Sequence, residues 1–554
     1  MSASTRSLCL RTPGRGSRSG FLPATTAALA PLLLVLTLLR PLACQAGEGI
    51  TPRPFTAVSS TSLTANWSST FPAKTRYRVE LSSGTFPNAF SGNRSSLTHN
   101  LSVPFVVPPR IISGTRYYAQ VSISPTGPFT GLGPIVTQPS DFFPIGLACV
   151  DALPLIPPSP LPASYRPIST EFPTIAAAGI NLLLPGRFGR LDYRDHDPQD
   201  TMAGDYLDAA AINGMKVMLG IPHACVRPDP PGPRTPEMIQ CIRDRVTRFS
   251  AHPALAGWWL YDDDYVGLPL ADLTAAYDLI RQLDPAHPVS IATAEQNLDP
   301  AAFPWRQAAD IVETQLLDIP THLWRPDESL GDVIRGNIDN AVRTLGPEGK
   351  YTMAHVQVYN LGTDDLMWRD DPDASVRRPQ ARYPTEEEIR FSAYYATMRG
   401  AEGLYFNCYR YTYEDESPDG VDDISPYSPI PAGRAQWPKI ARVASELKAM
   451  APVLLAPTVT PAEAGVVIEE GPVEMMIKQY QGKTYLLTAN PTAEAASARI
   501  QLAADRFPNP TITVLPGGGR PGPRLVPKEH AFDDNWAASA VRIYKISPGG
   551  GNGL

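Results

Sequence analysis

The sequence predicts a multidomain α/β plus β protein, in which a (β/α)8 TIM barrel is flanked on each side by a smaller β-rich unit. Three observations carry this. Eight apolar runs alternate with helical patterns between residues 141 and 450, and roughly 300 residues is the size of such a barrel. No glycine-rich phosphate loop follows the first run, although an open doubly wound sheet would want one there. On both sides, over residues 50–139 and 453–548, the pattern is short alternating runs broken by Gly, Pro and Ser, as in β-sandwiches.

The eight runs are Phe143–Val150, Asn181–Pro185, Lys216–Pro222, Gly257–Tyr261, Pro288–Ala294, Ile311–Leu317, Tyr351–Tyr359 and Gly403–Tyr409. Helical periodicity separates most of them, at Thr201–Asn213, Thr235–Ser250, Leu270–Leu283, Ser329–Leu345 and Thr385–Arg399. Asn213-Gly214 reads as a helix stop. Thr385-Glu-Glu-Glu388 reads as a capped start, with acids placed to meet the helix dipole. Polar or Gly-Pro-rich stretches near 450–460 and 515–528 read as linkers.

Composition sets the outer limits. The chain has 554 residues, 43% of them hydrophobic, and a net charge of −7, which argues against nucleic acid as partner. Arg6, Arg11, Arg15 and Arg18 precede an apolar segment from Phe21 to Leu39, and the small residues Ala43-Cys-Gln-Ala46 come next. That is the order of a secretory signal, here residues 1–46. The expectation is a secreted, extracellular protein with no integral membrane span once the leader is removed. Pro41-Leu-Ala-Cys44 is similar to a bacterial lipoprotein box, with its leucine one place closer to the cysteine. The alternative is therefore a lipid anchor on Cys44 at the cell surface.

In the first β-rich unit, Leu63–Trp67, Tyr77–Leu81 and Tyr117–Ile123 read as strands. Trp67, Tyr77 and Ser113-Gly-Thr-Arg-Tyr-Tyr118 resemble the fibronectin type III fold, whose usual work is spacing or binding. In the last unit the strands are Gly465–Ile468, Met475–Tyr480, Thr484–Asn490, Ser497–Leu502 and Ala540–Ile546.

The chemistry centres on the fourth run. His252-Pro-Ala-Leu-Ala-Gly-Trp-Trp-Leu-Tyr-Asp-Asp-Asp264 carries two tryptophans and ends in three carboxylates. Unpaired charge cannot remain in a core, so the acids belong at the C-terminal rim, where barrel active sites lie. Consecutive strand residues point to opposite faces, so one of Trp258 and Trp259 faces inward and the other faces the helices. This stretch resembles the glycoside-hydrolase-type barrels in which His-Pro-x-hydrophobic-x-Gly-Trp precedes a strand ending in Asp-Glu-Pro or Asn-Glu. Asp284-Pro-Ala-His-Pro288, Ala309-Asp-Ile311, Glu388-Ile-Arg390 and Gly400-Ala-Glu-Gly403 extend the likeness. It implies that Asp262 holds the first acidic position and that Asp263 stands where the family has its acid/base glutamate.

The chain departs from that family at two points. Aspartate replaces the glutamate, and the seventh run, Tyr351–Asn360, carries no acid. A retaining enzyme needs a second carboxylate about 5–5.5 Å away and an inverting one about 6.5–9.5 Å away. Asp151, Glu295, Asp318 and Asp262, all at predicted rim positions, are the candidate partners of Asp263; the plainer reading is that they cap helices and bind loop amides, as rim aspartates often do. Trp259, Trp324, Tyr359 and Tyr409 supply aromatic planes for sugar rings, and His223 and Gln357 supply polar groups. Barrel core is the plainer assignment for the aromatics.

No metal or other cofactor is expected. His223, His322 and His355 show no ligand spacing, and a metal-dependent hydrolase would need His223 or His355 to converge on Asp262 or Asp263. Cys149 and Cys408 lie on runs one and eight, neighbours in a closed barrel, and are either disulfide-bonded or two buried thiols. Cys225 and Cys241 bracket a Pro-rich loop that a disulfide would staple. The expected function is hydrolysis of O-glycosidic bonds in an extracellular polysaccharide or glycoconjugate. The alternative is a non-catalytic carbohydrate-binding or cell-surface protein on a barrel that has lost its chemistry.

Overall fold

The structure, a computed structural model, describes residues 50–56, 62–72, 75–82, 94–98, 102–106, 116–123, 130–136, 142–150, 168–185, 200–226, 234–261, 269–284, 286–293, 298, 303–316, 319–323, 325–346, 350–363, 373–412, 421–428, 430–456, 458–515, 524–525 and 527–547. Seven strands come first: β1 (Ile50–Thr56), β2 (Ser62–Ser69), β3 (Tyr77–Ser82), β4 (Arg94–Thr98), β5 (Ser102–Val106), β6 (Arg116–Ser122) and β7 (Thr130–Val136). They form two antiparallel sheets, ordered β1-β2-β5 and β4-β3-β6-β7. Trp67 and Tyr77 are both buried, with ring centroids 5.4 Å apart in an edge-to-face arrangement that suits the ring quadrupoles.

The next eight strands are β8 (Ile145–Ala148), β9 (Leu182–Leu184), β10 (Lys216–Gly220), β11 (Leu255–Tyr261), β12 (Val289–Thr293), β13 (Ile311–Leu316), β14 (Tyr351–Gln357) and β15 (Gly403–Asn407). They close into one parallel barrel, β15 pairing β8 through Leu404↔Ile145. All eight fall inside the runs read from the sequence, except that β11 starts two residues earlier. Strand parity splits the side chains into two cores. Val217, Trp258, Ile291, Val312 and Phe406 pack under the helices. Leu184, Met218, Trp259, Ile311, Met353 and Tyr405 form a separate cluster inside the barrel. Gly146 makes room for that interior, since a Cβ there would lie 2.2 Å from Cδ1 of Tyr405.

The five helical patterns form helices, and Thr385 with Glu388 makes a capping box. One long helix, Pro431–Leu454, is absent from the sequence reading because Pro438 and Pro452 lie within it and read as breakers. The expected linker near 450–460 is corrected accordingly: it holds the end of this helix and a short strand, Thr458–Val459. After the hairpin β16 (Arg410–Thr412) and β17 (Val421–Asp423) come β18 (Thr458–Val459), β19 (Val466–Ile468), β20 (Glu474–Tyr480), β21 (Lys483–Asn490), β22 (Ala496–Leu502), β23 (Thr511–Leu515), β24 (Arg524–Leu525), β25 (Ala531–Trp536) and β26 (Ala540–Ser547). A six-stranded sheet, β18-β20-β21-β26-β23-β24, faces a three-stranded one, β19-β22-β25.

β21 is buried on both faces. Leu486 packs into the sandwich, while Tyr485, Leu487 and Ala489 join the barrel's helical core. Arg390 strengthens this junction. Its guanidinium grips Glu446 through Nε (2.9 Å to Oε2) and Nη2 (2.7 Å to Oε1), and Nη1 donates to the Val541 carbonyl at 2.7 Å.

Two disulfides are present. Cys149–Cys408 joins the chain just beyond β8 and β15, with Cα atoms 5.2 Å apart, and Cys225–Cys241 ties the turn after β10 to the following helix. The first spans 259 positions of sequence, so it restrains the unfolded chain strongly. Changing both Cys149 and Cys408 to serine is expected to lower the unfolding free energy by about 2–5 kcal/mol. Denaturant unfolding of the variant beside the disulfide-bonded wild type checks this.

Candidate functional site

β11 ends at Tyr261, and Asp262, Asp263 and Asp264 come directly after it in the chain. These three, with Asp151, Glu295, Asp318 and Trp324, lie outside the described residues. The structure describes the barrel strands themselves.

The tryptophan pair is resolved by parity. Trp258 turns to the helices and donates from Nε1 to Asp284 Oδ2 at 2.9 Å. Trp259 turns inward and joins the interior cluster. Along the next four strands the inward positions include Ser290 on β12, Glu313 on β13, His355 on β14 and Tyr405 on β15. Bulky aliphatic residues usually fill such layers; here polar groups hold five consecutive strands. All five side chains are buried, Glu313 at 0% exposure.

Glu313 and His355 meet at 2.9 Å, Oε2 to Nε2. With Glu313 ionised, its carboxylate accepts and Nε2 donates, so the acid orients the imidazole. The Tyr405 ring lies 4.9 Å from that of His355. Burial, and then the Glu313 charge, raise the Tyr405 phenol well above its usual range, so it stays protonated. On this wall five buried polar atoms have no hydrogen-bond partner among the described residues: Trp259 Nε1, Ser290 Oγ, Glu313 Oε1, His355 Nδ1 and Tyr405 Oη. Unsatisfied groups are rare in folded interiors, and each calls for a bound partner, an ordered water or a chemical role. Chemically, the set offers an acid-oriented imidazole, a phenol and an indole donor on one wall of the barrel.

Glu313 lies within a strand rather than at a strand end, so the pattern of rim acids does not reveal it. The signal was an acid two positions after Ile311, on the inward parity of a buried strand. His355 sits within β14.

Other candidates are placed differently. The His223 ring stands 6.5 Å from that of Trp259, on the short helical turn after β10. Gln357 is corrected as a substrate-binding group, because its amide is committed to backbone. Nε2 donates to the carbonyls of Ile319 (2.9 Å) and Tyr359 (3.2 Å), and Oε1 accepts from Ile319 N at 2.8 Å. Tyr409 is corrected as well. It packs among the outer helices, edge-on to Trp437, and donates to Glu171 Oε2 at 2.6 Å. Tyr359 is buried with Leu361 and Cys408. Among the described residues no group of three or more His, Cys, Asp or Glu could hold a metal ion.

Asp284 supports the fourth strand from outside. It accepts from Trp258, from the His287 ring (2.8 Å) and from the backbone N–H groups of Ala286 and His287. Burial opposes its charge, but the bonds from His287 and Trp258 prevail, and its carboxyl lies below the usual range. A lowered folded pKa gives stability that is full above the unfolded value, about 3.9, and lost as pH falls through the folded one. The stability gap between wild type and Asp284→Asn is therefore expected to narrow below about pH 4. An unchanged gap down to about pH 2 in urea titrations would contradict this.

No family model matches this chain, and no curated protein matches it. Among solved structures it is similar to an α-amylase from Geobacillus thermoleovorans complexed with acarbose, at 13% identity, covering 74% of this chain and 99% of that one with a TM-score of 0.47. It is also similar to a glycoside hydrolase family 5 protein from Bacteroides vulgatus, at 12% identity, covering 73% and 89% with a TM-score of 0.47. A third is a catalytic mutant of a GH42 β-galactosidase from G. stearothermophilus, at 9% identity, covering 73% and 98% with a TM-score of 0.47. The barrel itself stands on this chain's own closed strand order. Among the described residues no helix is long and apolar enough to cross a membrane.

Proposed function

We propose that this chain is an exported glycoside hydrolase that cleaves O-glycosidic bonds of an extracellular polysaccharide or glycoconjugate at the C-terminal mouth of its barrel. The observation that carries this is the fourth strand. β11 sits in a closed parallel barrel, turns Trp259 inward, and ends one residue before Asp262-Asp263-Asp264. Asp263 is assigned the proton transfer to the leaving oxygen. A second rim carboxylate, from Asp262, Glu295, Asp318 or Asp151, activates water or supports the oxocarbenium-like charge. The polar interior on β11 to β15 underlies that mouth, and Glu313 and His355 act there as positioning residues. Hydrolysis of this kind needs no cofactor.

Export is supported by the two disulfides, which persist in oxidising compartments; cleavage after residue 46 or an anchor on Cys44 are its two forms. The first β-rich unit, with its three- and four-stranded sheets and packed Trp67–Tyr77 pair, is assigned as a fibronectin type III-like spacer or binding module. One observation favours a second reading, a non-catalytic glycan binder. β14 and the residues after it, Tyr351 to Asn360, offer no carboxylate. Reducing-end release from a glycan panel, by residues 47–554 and by their Asp263→Asn variant, separates the two. Release that the variant loses supports the enzyme; glycan binding without release by either protein supports the binder.

A further inference from the structure

The base of the barrel, opposite the mouth, meets the six-stranded sheet across a half-open pocket of about 610 Å3. Phe143, Leu454, Met475 and Ile477 give it apolar walls. Lys478 on β20 also lines it and is the one buried lysine among the described residues, at 8% exposure. Its ammonium donates to the Ala456 carbonyl at 2.9 Å, just past the end of the helix Pro431–Leu454, where the dipole favours a cation. That accounts for one of three donors. No carboxylate pairs with Lys478 among the described residues.

The other charges around the cavity do not replace that missing partner. Arg399 is held by Asp339 and by Glu474, the latter at 2.8 Å. Glu402 is the remaining charged wall residue. The helix end, Leu454–Ala456, and the segment Thr458–Pro461 bring no titratable side chain. With Arg399 matched by Asp339 and Glu474, Lys478 is the one cation of the described lining outside a salt bridge. A buried charge without a counter-charge is costly, and small-ligand pockets typically span about 300–1,000 Å3.

We propose that this half-open pocket binds a small monoanion with an apolar body, an aromatic or aliphatic carboxylate, whose charged end pairs with Lys478. The apolar walls take the body, and Glu402 and Glu474 disfavour a dianion. The site is separate from the barrel mouth and independent of the hydrolase assignment. Burial pulls the Lys478 ammonium down to about 8. An anion beside it favours the charged form, so binding takes up protons and weakens as pH rises past that value.

The test is isothermal titration of the full mature chain with benzoate and with its uncharged counterpart, benzamide. At about pH 6.5 benzoate is expected to bind about tenfold or more tightly than benzamide, the worth of one charge-assisted hydrogen bond. Lys478→Met keeps the apolar stem and is checked for folding by circular dichroism; it is expected to lose that preference. Wild type at about pH 9.5 should lose it as well, with no substitution to disturb the fold. Equal affinity for the two compounds, no binding of either, or a preference that survives both Lys478→Met and the higher pH overturns the proposal.

Discussion

Replacing His355 with leucine is expected to lower the unfolding free energy by about 3–5 kcal/mol. The reason is the carboxylate it leaves behind. Glu313 is fully buried, and its only hydrogen bond among the described residues is the 2.9 Å contact with His355 Nε2. Removing one partner of a buried pair leaves a charge with neither water nor a counterpart, which costs more than the pair contributed. The double variant, Glu313→Leu with His355→Leu, removes both groups and should recover most of the loss. Urea unfolding of wild type, both single variants and the double variant gives the coupling energy directly. A His355→Leu protein as stable as wild type would mean that Glu313 finds another partner or is already neutral.

Asp263→Asn is expected to reduce the rate of glycoside hydrolysis by about 10²–10⁴-fold. Asparagine keeps the size and polarity of the side chain but cannot deliver a proton to the leaving oxygen. Substrates whose leaving group needs no protonation, such as dinitrophenyl glycosides, should therefore lose much less than natural linkages. An equal loss on both substrate types would move Asp263 from proton donor to another role. No loss on either would place the acid elsewhere on the rim.

The barrel was legible because each of its strands is an apolar run closed off by local chemistry. Gly214, at φ 68°, ends one helix just before β10, and the Thr385–Glu388 box opens another. What escaped has physical causes. Ser102–Val106 and Thr130–Val136 contain Pro104 and Pro134, which read against a strand; both lie on edge strands, where a missing N–H is tolerated. The helix Pro431–Leu454 was hidden by its prolines in the same way. Glu313 was hidden by a rule that usually holds, that acids leave the core. Only the inward parity of β13 and a histidine on the neighbouring strand show why this one stays. The tryptophan pair was half legible: alternation required one in and one out, and the hydrogen bond from Trp258 to Asp284 decides which.

The proposed function puts glycan binding and cleavage at the C-terminal mouth of the barrel. A crystal structure of the Asp263→Asn variant with an oligosaccharide cleaved by the wild type tests it most directly. The sugar is expected at the mouth, above Trp259, with its scissile bond beside residue 263. A glycan seated on either flanking β-rich unit, with the mouth left empty, would contradict it.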